Sequence, residues 1–254
     1  MTPDTLPELV AHWAEQNPDK TWLRDLHENG SEDYSWAQAH AQICAIGAML
    51  EQRFGHGNQM VVLSRNRAHW VMADLAIIAS GNVTVSMFTT LPGPTAEYIF
   101  ELTETKVVFV GETSNWDQIV PVLPDDVLLV TLPGVELEQP HEKWEDLLAR
   151  HAGQAPEYQC QPDDMISLVF TSGTTGMPKG VIQTHSSNLV PIRRFTNMFG
   201  IKENPRYFSY LPLSHIAERQ IVEFSSIVLG GEISFNESLE TLPRDLPRAR
   251  PHVF

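Results

Sequence analysis

One ten-residue segment of the sequence combines the side chains and the backbone freedom needed to bind a polyphosphate. Residues 171–180 contain four hydroxyl side chains, three glycines and one lysine, and they lie between two apolar runs that are typical of strands. Glycine lets a backbone approach a ligand closely, hydroxyl groups donate hydrogen bonds to phosphate oxygens, and lysine supplies a compact positive charge. The candidate phosphate-binding residues are Thr171, Ser172, Gly173, Thr174, Thr175, Gly176 and Lys179.

The same composition is typical of a plain hairpin loop between two strands, and the chemistry alone leaves that alternative open. The segment is not a Walker A motif, in which glycine directly precedes the lysine and serine or threonine follows it. Here Pro178 precedes Lys179 and Gly180 follows it. A phosphate site at this loop would therefore belong to another class of nucleotide-binding protein.

The full string from residue 171 to residue 181, Thr-Ser-Gly-Thr-Thr-Gly-Met-Pro-Lys-Gly-Val, resembles the signature of the adenylate-forming (AMP-binding) superfamily. That superfamily contains acyl-CoA synthetases, luciferases and the adenylation domains of peptide synthetases. The resemblance implies that the loop closes over the β- and γ-phosphates of ATP while a carboxylate attacks the α-phosphate. The implied product is an acyl-adenylate, which is then passed to a thiol such as that of CoA.

A second motif follows where the superfamily has its next core motif. Residues 210–219, Tyr-Leu-Pro-Leu-Ser-His-Ile-Ala-Glu-Arg, resemble the version found in long-chain fatty acyl-CoA synthetases. The resemblance implies that His215 lines the acyl and adenine pockets, without acting as a general base. Without the flanking match, a lone histidine more often packs in a core or ends a helix than takes part in chemistry.

The resemblance covers essentially the whole chain, because residues 6–20 and 236–254 also look like long-chain and very-long-chain synthetases. It implies a continuation with a Gly-x-Thr-Glu type motif for the α-phosphate and Mg²⁺, a ribose-binding aspartate, a hinge and a mobile C-terminal lid domain with a lysine. The sequence contains no Gly-x-Thr-Glu. We therefore expect an N-terminal fragment without a complete catalytic set or the usual Mg²⁺ carboxylate, whose partner would be a separate C-terminal portion.

Three functional hypotheses follow. The first is the N-terminal part of an ATP-dependent long-chain fatty acid–CoA ligase, with fatty acid, ATP and CoA as substrates. The second is adenylation of another carboxylic acid, such as an amino or aryl acid. The third is an inactive remnant that at most binds nucleotide. The motif around His215 favours the fatty-acid branch, whereas the missing motifs favour the third hypothesis for the isolated chain.

Composition excludes several other classes of protein. A formal net charge of −15 argues against nucleic acid as a partner, because binding its phosphates needs clustered cations. One cationic cluster, Arg244, Arg248 and Arg250, is interrupted by prolines and predicts a solvated turn. The ten histidines are scattered, with no His-Glu-x-x-His, so no metal site is predicted.

The cysteine content and the N-terminus favour a cytoplasmic location. Cys44 and Cys160 are too few for a disulfide framework, which indicates a reducing compartment, and no signal peptide is evident. No apolar stretch is long enough to read as a membrane span, although an enzyme with lipid-like substrates could contact a membrane peripherally.

Helical and strand patterns alternate along the chain, which predicts an α/β fold with parallel sheets. Capping boxes at Thr5 and Ser35 each predict the start of a helix, and Ser186 is the predicted cap of a helix after the loop. We expect two doubly wound parallel-sheet subdomains, the second one incomplete. The predicted boundary at Pro162 gives a first subdomain at 1–162 and a second at 163–254 that carries the phosphate loop.

Overall fold

The computed structural model describes residues 3–171 and 177–254, which form two β-sheets with helices packed against them. The strands are β1 (Thr21–His27), β2 (Gly30–Ser35), β3 (Gln59–Leu63), β4 (Val83–Met87), β5 (Val107–Val110), β6 (Leu128–Thr131), β7 (Glu142–Lys143), β8 (Met165–Thr171), β9 (Lys179–Thr184), β10 (Arg206–Ser209) and β11 (Glu232–Phe235). The α-helices are α1 (Leu6–Gln16), α2 (Trp36–Phe54), α3 (Ala68–Ala79), α4 (Gly93–Thr103), α5 (Trp116–Ile119), α6 (Trp144–His151), α7 (His185–Phe199), α8 (Ile216–Glu218), α9 (Ser225–Leu229) and α10 (Leu242–Ala249). A π-helical stretch, Arg219–Phe224, joins α8 to α9.

The larger sheet has seven strands in the order β7-β6-β5-β3-β4-β8-β9, and the smaller has four in the order β10-β11-β1-β2. All neighbouring strands run parallel except the pairs β8–β9 and β1–β2. The predicted α/β class with two parallel-dominated sheets is therefore confirmed. Each sheet contains strands from both sides of Pro162, and a subdomain boundary at that residue stays a prediction.

Capping residues explain where the first helices begin. Thr5 accepts a hydrogen bond from the Glu8 amide and Ser35 accepts one from the Gln38 amide, so both predicted capping boxes are present. The prediction for α7 was wrong by two residues, because its cap is Thr184, which forms a capping box with Ser187. The Ser186 hydroxyl instead donates to Asp163 Oδ1, 2.8 Å away.

Strand β2 was not predicted, because its side chains are polar and not buried. One prediction from local sequence needs correction. The arginine cluster is not a solvated turn. It belongs largely to helix α10, where Arg244 pairs with Glu237 and Asp245, and Arg248 donates to the carbonyls of His27 and Gly30. The prolines favour a turn when only the local sequence is considered. The contacts of the arginines with residues distant in the sequence stabilise the helix instead.

Helix α3 lies at the centre of the core, and all twelve of its residues are buried. It contacts α1 and α2 as well as strands β1, β3 and β4, and so joins the two sheets. Five tryptophans are buried in the core: Trp13, Trp22, Trp36, Trp70 and Trp144. Among the helices that the structure describes, none combines the length and the apolar character needed to cross a bilayer.

A buried ionic cluster connects α3 to the π-helical stretch. Arg219 is fully buried, and its guanidinium donates to Asp74 Oδ2 at 2.5 Å, to Ser167 Oγ at 2.6 Å and to Glu223 Oε2 at 3.3 Å. It also lies over the rings of Trp70 and Phe224, at 5.4 and 4.9 Å. Two carboxyl groups therefore surround one cation in a site without access to water.

The surroundings of Glu223 favour its protonated form, and a proton there would make this cluster neutral. Burial raises the pKa of Glu223 well above its usual range, and the neighbouring Asp74 carboxylate raises that pKa further. We therefore assign Asp74 as the counter-ion of Arg219, and Glu223 as a neutral acid.

This assignment predicts unequal effects of two isosteric substitutions. Glu223→Gln replaces a neutral acid by a neutral amide and should lower the free energy of unfolding by less than about 1 kcal/mol. Asp74→Asn removes the counter-ion of a buried cation and should lower it by roughly 3–5 kcal/mol. Urea denaturation of both variants measures the difference. Equal losses would show that Glu223 is ionised.

Asp25 links the smaller sheet to α3. Its carboxylate, from β1, accepts a hydrogen bond of 2.9 Å from the amide of Ala68, the first residue of that helix. Arg67, the residue before it, provides no side-chain cap. Burial raises the pKa of Asp25 to about 6. The folded protein therefore holds this proton more tightly than the unfolded chain, and stability decreases as the pH rises through that value.

Asp25→Asn should remove this pH dependence, because the amide oxygen can still accept from Ala68 and carries no charge. Relative to the parent, the free energy of unfolding of the variant should rise by about 2 kcal/mol between pH 4 and pH 7. Asp33→Asn is the matched control on the neighbouring strand. Arg24 lowers the pKa of Asp33, so that variant should lose relative stability as the pH rises. The same trend in both variants would contradict the burial argument.

Candidate functional site

The two ends of the predicted phosphate loop are held together by the β8–β9 hairpin. Thr171 ends β8 and lies directly opposite Lys179, the first residue of β9. Side chains of such an opposed pair lie on the same face of a sheet, so both residues face the same side. Lys179 is exposed and makes no ion pair with any residue that the structure describes. The hairpin therefore presents one hydroxyl and one cation at the base of the loop.

The remaining predicted loop residues cannot be placed in the same way. Ser172, Gly173, Thr174, Thr175 and Gly176 lie outside the described residues, and their roles stay predictions.

His215 is the N-cap of the short helix α8. Its Nδ1 accepts a hydrogen bond of 3.1 Å from the amide of Ala217. In the neutral ring this leaves the proton on Nε2. The exposed imidazole therefore offers a hydrogen-bond donor rather than a free base, and the pocket role expected from the sequence motif stays a prediction.

Thr171 and His215 line one cavity of about 420 Å³. It lies at the carboxyl ends of β4 and β8, which is where ligands bind in open parallel sheets. Helix α4 and the turn before α8 form its sides. The lining consists of Ser86, Phe88, Leu91, Thr95, Ile99, Val169, Phe170, Thr171, Pro178, Ser214, His215 and Ile216. Mostly apolar walls with a few hydroxyls and one imidazole are typical of a small-molecule pocket.

Sequence reasoning did not find the α4 side of this pocket. Phe88, Leu91, Thr95 and Ile99 read as ordinary strand-end and helix residues, and no local motif distinguishes them. The adjacency of β4 and β8 in the structure places them at the site, because residues that follow neighbouring parallel strands lie at the same end of the sheet.

The described residues do not fit a protein-bound Mg²⁺. The lining of the cavity contains no carboxylate, the group that Mg²⁺ prefers among protein ligands. In the described ranges, no three histidine, cysteine, aspartate or glutamate residues lie close enough to hold a metal ion. These residues would therefore contact a Mg–nucleotide through its phosphates and not through the metal.

A second cavity, of about 350 Å³, adjoins the first and shares Phe88 and Ser214 with it. It lies between the ends of β3 and β4 of the larger sheet and β10 and β11 of the smaller sheet. Asn66, just after β3, and Tyr210, just after β10, belong to its lining. The segment that carries His215 therefore lies between two cavities. Residues that follow strands of both sheets line the second cavity.

Glu218, three residues after His215, is buried beneath this segment. It accepts hydrogen bonds from the Ser209 hydroxyl at 2.9 Å and from the Tyr210 amide at 3.1 Å. Burial raises the pKa of Glu218 to about 7, although these hydrogen bonds act in the opposite direction. Its protonation changes near neutral pH, one turn of chain away from the pocket.

Comparison with protein families gives a match over almost the whole chain. The family described as AMP-binding enzyme matches residues 10–254. Two curated relatives are fatty acyl-CoA synthetase A of Dictyostelium discoideum, 30% identical over 90% of this chain, and long chain acyl-CoA synthetase 5 of Arabidopsis thaliana, 28% identical over 95%. The chain covers 37% and 40% of the lengths of these two proteins, which is well under half.

Solved structures show the same fold. Acetoacetyl-CoA synthetase from Streptomyces lividans matches with a TM-score of 0.82 and 22% identity, over 96% of this chain and 41% of that one. A fatty acyl-adenylate ligase from L. pneumophila, in complex with acyl adenylate and pyrophosphate, matches with a TM-score of 0.78 and 20% identity, over 97% and 42%. With the family match over residues 10–254, the chain therefore belongs to the AMP-binding enzyme family.

Proposed function

We propose that this chain is the nucleotide-binding N-terminal part of an ATP-dependent long-chain fatty acid–CoA ligase. The observation that carries the proposal is the apolar cavity at the ends of β4 and β8. It brings Thr171 of the loop motif and His215 of the second motif to one site. The synthetases among the curated relatives support the fatty-acid branch.

In the proposed first half-reaction, a carboxylate oxygen of the fatty acid bonds to the α-phosphorus of ATP and pyrophosphate leaves. The loop hydroxyls and Lys179 would neutralise and hold the outer phosphates, so that the leaving group is stabilised where its charge develops. The Nε2 proton of His215 would orient a polar atom of the bound acid or adenylate. The side chains of Phe88, Ile99 and Phe170 would exclude water around the acyl group.

In the second half-reaction, the thiol sulfur of CoA bonds to the acyl carbon and AMP leaves. Mg²⁺, ATP, CoA and the fatty acid are the proposed ligands of the complete enzyme. The described lining offers no carboxylate for Mg²⁺, so these residues contribute no step through the metal. A separate C-terminal portion is the proposed partner.

A cytoplasmic location with peripheral membrane contact remains part of the proposal. Both cysteines are free thiols. Burial raises the pKa of the Cys44 thiol, and it raises the pKa of the Cys160 thiol to about 12. Both thiols are therefore protonated and poorly reactive at neutral pH.

Nucleotide binding without turnover is the second candidate. The described lining of the cavity favours it, because that lining offers no carboxylate for the Mg²⁺ that assists adenylyl transfer. Adenylation of another acid is a variant of the first candidate, since the acetoacetyl-CoA synthetase of S. lividans has the same fold.

Replacing Lys179 tests whether the loop binds nucleotide. Lys179→Ala should weaken ATP binding by about tenfold, because one charge-assisted contact to phosphate is lost. Lys106→Ala is the matched control. It removes the same charge from an exposed residue just before β5, at the amino ends of the parallel strands and therefore away from the loop. Isothermal titration calorimetry with ATP measures both. Equal changes in affinity would exclude a specific role for Lys179.

Pyrophosphate exchange separates the two candidate functions. We expect residues 1–254 alone to bind ATP without palmitate-dependent ATP–pyrophosphate exchange, because positioning groups of the longer relatives are needed for adenylyl transfer. Exchange should appear once a C-terminal portion is supplied. Exchange by the isolated chain would contradict this expectation, and exchange with an amino or aryl acid in place of palmitate would favour a different substrate.

A further inference from the structure

One carboxamide, that of Asn66, contacts the chain at three points just before His215. Its Nδ2 donates to Ser209 Oγ at 2.8 Å and to the carbonyl of Leu211 at 2.5 Å. Its Oδ1 accepts from the amide of Leu213 at 2.8 Å. Both hydrogen-bonding atoms of the carboxamide are therefore used by a five-residue segment that ends two residues before the histidine.

The same network continues to the other side of His215. Ser209 Oγ, which accepts from Asn66, donates to Glu218 Oε1 at 2.9 Å. The Glu218 amide in turn donates to the carbonyl of His215 at 3.1 Å. Asn66 thus contacts the chain before the histidine directly and the first turn of α8 through one hydroxyl.

Asn66 lies in a loop of the larger sheet, whereas the segment it contacts belongs to the smaller sheet. It follows β3 at the carboxyl edge of the larger sheet, whereas residues 209–213 follow β10 of the smaller sheet. No α-helix or strand lies between residues 209 and 216, so the position of His215 depends on contacts of this loop rather than on regular structure.

From this geometry we propose that Asn66 is the positioning residue for His215. It fixes the histidine-bearing loop against the larger sheet, so that the imidazole faces the cavity that Thr171 also lines. The role fits asparagine specifically. The three contacts need two donor hydrogens and one acceptor on one short planar group. Aspartate lacks the donors, and leucine would remove the partners of the Leu211 carbonyl and the Leu213 amide and leave Ser209 Oγ with Glu218 alone.

The proposal rests on the proposed function only in taking His215 as a ligand-contacting residue. The position of the imidazole is a separate quantity, and it can be measured without any nucleotide. The histidine Cε1–H resonances of the ¹³C-labelled chain, at pH 8 without ligand, report the surroundings of His215. Comparison with His215→Gln identifies its resonance.

Asn82→Ala is a matched control. Asn82 is also an asparagine that fixes a turn through several contacts, with Nδ2 donating to Gly55 O at 2.9 Å and Ser80 O at 3.2 Å. It precedes β4 and so lies at the amino ends of the parallel strands of the larger sheet, whereas Asn66 lies at their carboxyl ends. Loss of its carboxamide should destabilise the protein without affecting His215.

We expect Asn66→Ala to shift or broaden the His215 resonance, and to weaken ATP binding by about three- to tenfold if the proposed function holds. Asn66→Asp keeps the acceptor for Leu213 but places a carboxylate oxygen against the Leu211 carbonyl, so it should also shift this resonance. It also provides the measurement if the alanine variant does not fold. Asn82→Ala should leave the resonance in place.

An unchanged His215 resonance in both Asn66 variants would overturn the positioning role. So would an equal shift in Asn82→Ala, since that would reflect general destabilisation. A shifted resonance without ATP binding by the parent chain would retain the positioning role and contradict the proposed function instead.

Discussion

The neutralisation of one buried cation constrains the arrangement of the whole site. Arg219 has no access to water, so its guanidinium must find its partners inside the protein. Those partners come from different elements: Asp74 from α3, Ser167 from β8 and Glu223 from the π-helical stretch. Because β8 leads to Thr171 and Arg219 follows His215 by four residues, the same cluster sets the distance between the two motifs. Glu223 follows Arg219 by four residues in the π-helical stretch, and its carboxyl group lies 3.3 Å from the guanidinium.

Polar contacts between the sheets do the remaining positioning. Asp25 joins β1 to the start of α3, and Asn66 joins the end of β3 to the loop after β10. Both connect the smaller sheet to the larger one near the carboxyl edge, where the cavities lie. The apolar contacts around α3 are not directional. The hydrogen bonds are directional, and they therefore fix how the two sheets are aligned with each other. The pocket is therefore formed by two sheets that are fixed to each other at a few polar points.

The sequence predicted the elements well where a strong local signal exists. Capping boxes at Thr5 and Ser35 gave correct helix starts, and alternation of helix and strand gave the parallel sheets. Strand β2 was missed because its polar residues lack the alternation of a half-buried strand, and it forms by pairing with β1. Helix α10 was missed because the ionic partners of its arginines, Glu237 and Asp245, become neighbours only in the fold.

The site was predictable only as two separate motifs. Local sequence identified the loop and His215, but the carboxamide and the carboxylates that surround them lie up to about 150 residues away along the chain. No spacing rule connects Asn66 to Leu213 or Asp74 to Arg219, because sheet topology alone brings them together. Ser172 to Gly176 lie outside the described residues, so the loop is known here only through its two ends.

The pairing of β1 with β11 has a consequence for the order in which the protein can be made. Arg24 and Ser234 lie side by side in the smaller sheet, although about 210 positions separate them along the chain. During synthesis at roughly 5–20 residues per second, β1 and β2 would wait about 10–40 s before β11 exists. In that interval the edge of β1 that will pair with β11 is unpaired, and Trp22 and Leu23 lack the residues that will cover them. During this interval the nascent chain therefore exposes apolar side chains and a strand edge to which a chaperone can bind, and both are covered in the folded protein.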